Sequence, residues 1–177
     1  YISPELCFTF YVPQGLKKVT VLDGDVFDGA FMNMRTLTEV VFADDADTTY
    51  IGEAAFMGAT ALEGFTVPAG VSIVGDYAFC FSGVRTVDMS AADEITVLPE
   101  YIFGENTRLA TISLPENLVT IEGYAFYMAS ALKNIVIPDS VTTIGEYAFY
   151  ACTSLESVSL PANLKTLGAS AFSRCLS

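Results

Sequence analysis

The sequence predicts one elongated repeat solenoid, mainly β, with a parallel sheet on its concave side and short helical turns on its outer side. Three observations predict it. The hexapeptide Ile144-Gly145-Glu146-Tyr147-Ala148-Phe149 has a near-copy in Ile121-Glu122-Gly123-Tyr124-Ala125-Phe126, and 144 minus 121 gives a period of 23 residues. Their continuations, Leu155-Glu156-Ser157-Val158-Ser159-Leu160-Pro161 and Leu132-Lys133-Asn134-Ile135-Val136-Ile137-Pro138, keep the same offset. Self-similarity at a fixed period of this length marks a stacked repeat. Apolar residues make up 52% of the chain and charged residues only 16%, enough to fill a continuous core.

Taken in order, residues 1–15 do not fit the repeat. Leu6, Phe8, Phe10 and Val12 alternate with Cys7, Thr9 and Tyr11, which is strand periodicity. The expectation is an N-terminal cap strand, because a first coil without a cover exposes its core. Residues 16–177 then hold the repeats, the first and last incomplete. Leu16-Lys17-Lys18-Val19-Thr20-Val21 is the strand half of the truncated first repeat. Whole repeats start at Val26, Ile51, Val74, Leu98, Ile121, Ile144 and Leu167.

Each start is followed five residues later by a phenylalanine: Phe31, Phe56, Phe79, Phe103, Phe126, Phe149 and Phe172. Strand pairs such as Ile135/Ile137 and Val158/Leu160 place both apolar side chains on one face of an extended chain. Pro138 and Pro161 then end those strands, since proline has no N–H for a ladder. The glycine after each start is expected to turn the chain, and Glu146-Tyr147-Ala148-Phe149 reads as a helical turn. The last repeat breaks off at Ser177 before its strand half, so further repeats or a covering partner are expected there. A start at Tyr1, without Met or leader, reads as a mature or trimmed fragment.

The pattern L-x-x-I-x-L-P followed by I-G-x-x-A-F-x-x-C, seen best in Ile144–Phe149, Cys152 and Leu155–Pro161, resembles the BspA-like leucine-rich repeats of bacterial cell-surface proteins. The resemblance covers roughly residues 16–177. Departures are the short first repeat, the acids around Asp44–Asp47, the lengthened loop Ser90–Glu94, and Glu122 displacing Gly123 from its usual place. The resemblance implies a secreted or surface-anchored, extracellular protein, in a family of which some members are adhesins for host matrix proteins. The expected function is non-enzymatic recognition of a host or bacterial protein or glycan. The alternative is a structural spacer displaying another domain.

Composition narrows the chemistry. With 21 acids against 8 bases, the formal charge is -13, which repels phosphate backbones and argues against nucleic-acid binding. No run of 18 apolar residues suggests a membrane span. The chain has no histidine, which removes the commonest catalytic base and the usual Cys/His zinc site. The acids recur with the repeat instead of converging, so no catalytic residue and no cofactor are expected, a structural Ca²⁺ excepted. Cys152 and Cys175 share a column with Met34, Ala59, Ser82, Asn106 and Ala129, which reads as an inward slot holding free thiols. A disulfide between adjacent coils is the alternative.

Three groups of residues are candidate sites. Tyr77, Tyr101, Tyr124 and Tyr147 recur beside the acids Asp28, Glu53, Asp76, Glu100 and Glu146. They read as rings stacked for structural reasons, or as an interface, because tyrosine is a favoured anchor. The outward strand residues Thr20, Val41, Thr66, Asp88, Ser113, Val136 and Ser159 form the expected concave surface, with Thr66, Asp88 and Ser113 at its centre. Asp23, Asp25, Asp44, Asp45 and Asp47 fall in two equivalent loops one coil apart. They form either a solvated acidic edge or a Ca²⁺ site assembled across two coils.

Overall fold

The computed structural model describes residues 15–176. The expected cap strand, with Cys7, therefore lies outside the described residues except for Gly15. The described chain contains thirteen short strands: β1 (Lys18–Val21), β2 (Glu39–Phe42), β3 (Tyr50–Ile51), β4 (Gly64–Thr66), β5 (Ile73–Val74), β6 (Thr86–Asp88), β7 (Val97–Leu98), β8 (Thr111–Ser113), β9 (Thr120–Ile121), β10 (Asn134–Val136), β11 (Thr143–Ile144), β12 (Ser157–Ser159) and β13 (Thr166–Leu167).

All pairings are parallel and join equivalent positions of successive coils. One ladder holds the longer strands, with β1 on β2, β4 on β6 on β8, and β10 on β12. β4 lies beside β2, and β10 beside β8. The other ladder holds the two-residue strands, with β3 on β5 and β7 on β9 on β11 on β13. The register is the one the repeat starts predict: Ile51 pairs with Val74, Leu98 with Ile121, Ile121 with Ile144 and Ile144 with Leu167, while Val26 bridges Ile51. The second ladder breaks between β5 and β7. The coil between them carries the lengthened loop Ser90–Glu94.

The core is one column. Phe31, Phe56, Phe79, Phe103, Phe126, Phe149 and Phe172 stack ring on ring, with centroids 5.4, 5.3, 5.6, 5.4, 4.9 and 4.9 Å apart. The five central rings are fully buried. Around them pack the strand residues Phe65, Val87 and Ile135, Leu155 just before β12, and the repeat starts Ile51, Leu98, Ile121 and Ile144, all buried. Burial on this scale is the main favourable contribution to folding, at about 25 cal/mol per Å² of apolar surface.

The short helical turns expected on the outer side are not there: the described residues contain no helix. The reason lies in where the backbone N–H groups go. In an α-helix each donates to the carbonyl four residues back. Here Tyr124, Phe126 and Met128 donate to Glu146, Ala148 and Tyr150 of the next coil, at 3.0, 2.7 and 2.8 Å. The alternate residues Tyr127 and Ala129 close local turns onto Tyr124 and Phe126, both at 3.0 Å. The segment is thus a stack of tight turns bonded from coil to coil. Positive φ recurs at every fourth residue within each segment: Tyr77 and Phe81, Tyr101 and Glu105, Tyr124 and Met128, Tyr147 and Ala151.

The glycines differ from expectation as well. Gly75 and Gly145 follow the repeat starts but have ordinary φ. Each is required because the preceding coil lies against it: a Cβ at Gly75 would stand 2.3 Å from the Glu53 nitrogen, and one at Gly145 2.4 Å from the Gly123 nitrogen. The left-handed position two residues further on is tyrosine in four coils and Gly29, Ala54 or Ser170 in the others.

Candidate functional site

Two surfaces gather candidate residues. The first is the outward face of the longer-strand ladder. Thr20, Val41, Thr66, Asp88, Ser113, Val136 and Ser159 are all exposed there, as the alternation predicts. Parallel register puts Thr66, Asp88 and Ser113 side by side. They line a depression of about 670 Å³ with Thr86, Thr111 and Glu39. Asp88 is held in place by Ser90, whose backbone N–H and hydroxyl both donate to it, at 3.0 and 2.7 Å. Those two bonds, the hydroxyl's first, keep its carboxyl below the usual range. Further along, Val136 is 84% exposed between Ser113 and Ser159 and lines a second depression. The ladder therefore offers hydroxyls, one fixed carboxylate and two separate apolar contacts, Val41 and Val136.

The second surface is built on the turn segments. Tyr77, Tyr101, Tyr124 and Tyr147 stack at 5.1, 4.6 and 5.1 Å, with interplanar angles of 9, 6 and 16°. Beside them Tyr127 stacks on Tyr150 at 5.2 Å and 6°. Tyr127 meets Tyr101 edge-on at 6.0 Å and Tyr150 meets Tyr147 edge-on at 5.5 Å, so six half-buried rings form one assembly. The sequence reading missed this second pair, although Tyr127 and Tyr150 are themselves 23 residues apart. The Arg174 guanidinium lies over Tyr150, 5.4 Å from the ring centroid. Partial burial, and then the neighbouring carboxylates, push the phenols of Tyr77 and Tyr124 above their ordinary value.

Two members of the acid column beside the tyrosines accept backbone N–H groups of the next coil. Asp28 accepts from the Glu53 N–H at 2.9 Å and from the Tyr50 hydroxyl at 2.6 Å. Asp76 accepts from the Glu100 N–H at 3.1 Å.

The five loop aspartates are not brought together as a cation site. Asp25 accepts from the Thr49 N–H and hydroxyl and from the Tyr50 N–H, at 2.9, 3.1 and 2.9 Å. Its carboxyl is lowered, chiefly by the Thr49 backbone bond. Asp23 accepts from the Gly24 and Asp47 N–H groups, at 2.8 and 3.3 Å. Asp44, Asp45 and Asp47 are exposed. Among the described residues no three acidic or cysteine side chains are grouped as metal ligands would be.

Cys80, Cys152 and Cys175 are free thiols, the last two in the inward column. The Cys152 and Cys175 thiols donate to the Phe126 and Phe149 carbonyls of the preceding coil, both at 3.2 Å. Asn106 makes the same link to Phe79 at 2.7 Å. Burial pushes the Cys80 thiol up to about 11 and the Cys152 thiol up to about 12, so neither is a nucleophile at neutral pH.

Stacked parallel coils, two strand ladders per molecule and one buried phenylalanine column define a leucine-rich-repeat solenoid. The chain belongs to the BspA type leucine rich repeat family, whose model matches residues 25–139 and 119–177 in six copies. Its fold is similar to a leucine-rich repeat protein from Eubacterium ventriosum, with a TM-score of 0.74 and 19% identity over 86% of this chain and 42% of that one. It is also similar to a leucine rich cell surface protein from Faecalibacterium prausnitzii, with a TM-score of 0.55 and 26% identity over 81% of this chain and 47% of that one. A leucine rich repeat protein from T. pallidum gives a TM-score of 0.58 and 26% identity over 92% of this chain and 67% of that one. The chain thus spans less than half the length of the first two. No curated protein matches it. No helix among the described residues is long and apolar enough to cross a membrane.

Proposed function

We propose that this chain is a non-enzymatic recognition module of a bacterial surface or secreted protein. Its longer-strand ladder binds a protein or glycan of host or bacterial origin, with host extracellular matrix as the first class to test. The observation that carries this reading is the uncovered ladder face. Thr66, Asp88 and Ser113 stand in register on it, exposed, above a fully packed core. A face held rigid by the stacked coils below it binds without ordering cost, and solenoids use such extended surfaces for recognition. The family, and the Faecalibacterium protein described as a cell surface protein, support an extracellular setting.

The test is retention on immobilised matrix proteins, mucins and glycan arrays, comparing the parent with Thr66→Arg/Asp88→Arg/Ser113→Arg. Retention by the parent and loss of about tenfold or more in the triple variant is the expected result, the size of losing a few central contacts. Failure of the parent on every surface leaves the chain as a spacer that displays another domain. Retention unchanged in the variant moves the binding face elsewhere.

A further inference from the structure

The sequence contains two Asp-Gly peptides, Asp23-Gly24 and Asp28-Gly29, a few residues apart. This dipeptide carries a chemistry of its own, because no side chain shields the glycine nitrogen. That nitrogen can attack the carboxyl carbon of the aspartate before it. A C–N bond forms, the nitrogen gives up its proton, and the hydroxyl of the neutral carboxyl leaves as water. The product is a cyclic imide, and water then adds back. Opening at Cγ restores aspartate. Opening at the main-chain carbonyl gives isoaspartate, in which the chain runs through Cβ and Cγ and is longer by a methylene. No atom is gained or lost overall, and nothing is oxidised.

Both aspartates are exposed, so exposure does not distinguish them. Their hydrogen bonds do. The Asp23 Oδ1 accepts from the Gly24 N–H at 2.8 Å. The carboxyl carbon is one bond from an atom already in contact with the attacking nitrogen, an arrangement in which reacting groups need no search. A Cβ built on Gly24 meets nothing within 4 Å, so the peptide is open on that side. Oδ1 can remain on the Asp47 N–H, at 3.3 Å, as the imide oxygen. Oδ2, to which no described residue donates, is the oxygen that leaves.

At Asp28 the next coil holds every participant. The Gly29 N–H donates to the Glu53 carbonyl at 2.8 Å. The carboxylate accepts from the Tyr50 hydroxyl and the Glu53 N–H, at 2.6 and 2.9 Å. A Cβ on Gly52 would stand 2.6 Å from the Asp28 Oδ1, so backbone lies directly against it. Attack there requires these bonds to break first.

We propose that Asp23-Gly24 is a site of spontaneous isoaspartate formation in the folded protein, and that the fold protects Asp28-Gly29 from the same reaction. The proposal is independent of any recognition role. Its structural consequence is local. The Gly24 carbonyl accepts from the Thr48 hydroxyl at 2.7 Å, and Asp25 accepts from the Thr49 and Tyr50 N–H groups, both at 2.9 Å. A methylene inserted just before these groups displaces them, so conversion loosens the join between the two coils.

The experiment incubates the parent chain at neutral pH, folded and in urea. The chain is then digested, and isoaspartate at each peptide is quantified by methyl transfer from a protein isoaspartyl methyltransferase. In the folded chain Asp23-Gly24 should convert about tenfold or more faster than Asp28-Gly29, the size of keeping one to three net hydrogen bonds. In urea the two rates should come together, because the bonds that distinguish the peptides are gone. Asp23→Asn/Asp28→Asn puts the same amide at both positions, with ammonia as the leaving group and an oxygen that still accepts. Deamidation, read by mass, should come first at position 23 in the folded variant. Equal rates at the two peptides of the folded chain would overturn the proposal. So would isoaspartate that forms only in urea, or an acceleration by urea as large at Asp23-Gly24 as at Asp28-Gly29.

Discussion

Two aromatic columns run along the molecule, and the repeat sets the spacing of both. The phenylalanine column is buried and built on backbone with ordinary φ. The tyrosine column lies at the surface, half-buried, with φ of 58, 53, 58 and 52° at Tyr77, Tyr101, Tyr124 and Tyr147. Ring separations are nearly the same, 4.9 Å between Phe126 and Phe149 and 5.1 Å between Tyr124 and Tyr147. The inner column follows from the hydrophobic effect alone, and replacing one member leaves a hole. The outer column works against its own backbone, and only stacking and partial burial offset that cost.

The largest effect should come from emptying the inner column. Phe149 is fully buried with Phe126 on one side and Phe172 on the other. Phe149→Ala should cost roughly 3–5 kcal/mol, the range for removing a buried aromatic ring. Denaturant unfolding measures it, and a midpoint close to the parent's would mean that the register drawn here is wrong.

The next effect separates the columns by sign. Tyr124→Ala removes stacking on both sides and should cost roughly 1–3 kcal/mol, at about 0.5–1.5 for each ring contact. Tyr124→Gly loses the same contacts but relieves the left-handed backbone, so it should be the milder change by about 1 kcal/mol. At Phe126 the order reverses: glycine should be worse than alanine there by about 0.5–1 kcal/mol. If alanine is the better replacement at both sites, the strain attributed to Tyr124 is not present in solution.

The comparison also shows which parts of the molecule were legible. The 23-residue offset gave the solenoid, the coil register, the phenylalanine core and the exposed ladder residues. Period and alternation depend only on which face a side chain takes, and sequence carries that directly. The turn segments were misread as helical, because Glu146-Tyr147-Ala148-Phe149 has ordinary helix formers and no glycine. What decides the conformation is the next coil, whose carbonyls take every second N–H. That competition is between coils and leaves no local mark. The same holds for Gly145, whose small size answers to backbone across the coil boundary and not to its own φ. The candidate site was half legible: the tyrosine stripe was seen, but its second row, Tyr127 and Tyr150, and the Arg174 contact were not.

The smallest expected effect concerns the acidic loops of the N-terminal coils, which contrast with the tyrosine face in having their key carboxylates already engaged. Asp25 takes three donors from Thr49 and Tyr50, and Asp23 takes two backbone N–H groups. A hard cation wants six to eight free oxygens, and those bonds compete with it. The carboxyl of Asp25 is lowered on folding, so its contribution to stability is present above the ordinary carboxylate range and is lost as pH falls through the folded value. The parent's melting midpoint should therefore decline below about pH 4, and Asp25→Asn should flatten part of that decline, because an amide oxygen still accepts but does not titrate. At neutral pH, millimolar Ca²⁺ should raise the midpoint no more than Na⁺ of equal ionic strength, in the parent and in Asp44→Asn/Asp45→Asn alike, since exposed like charges gain only from screening. A rise specific to Ca²⁺ that the double variant loses would instead establish an ion bound between the two loops.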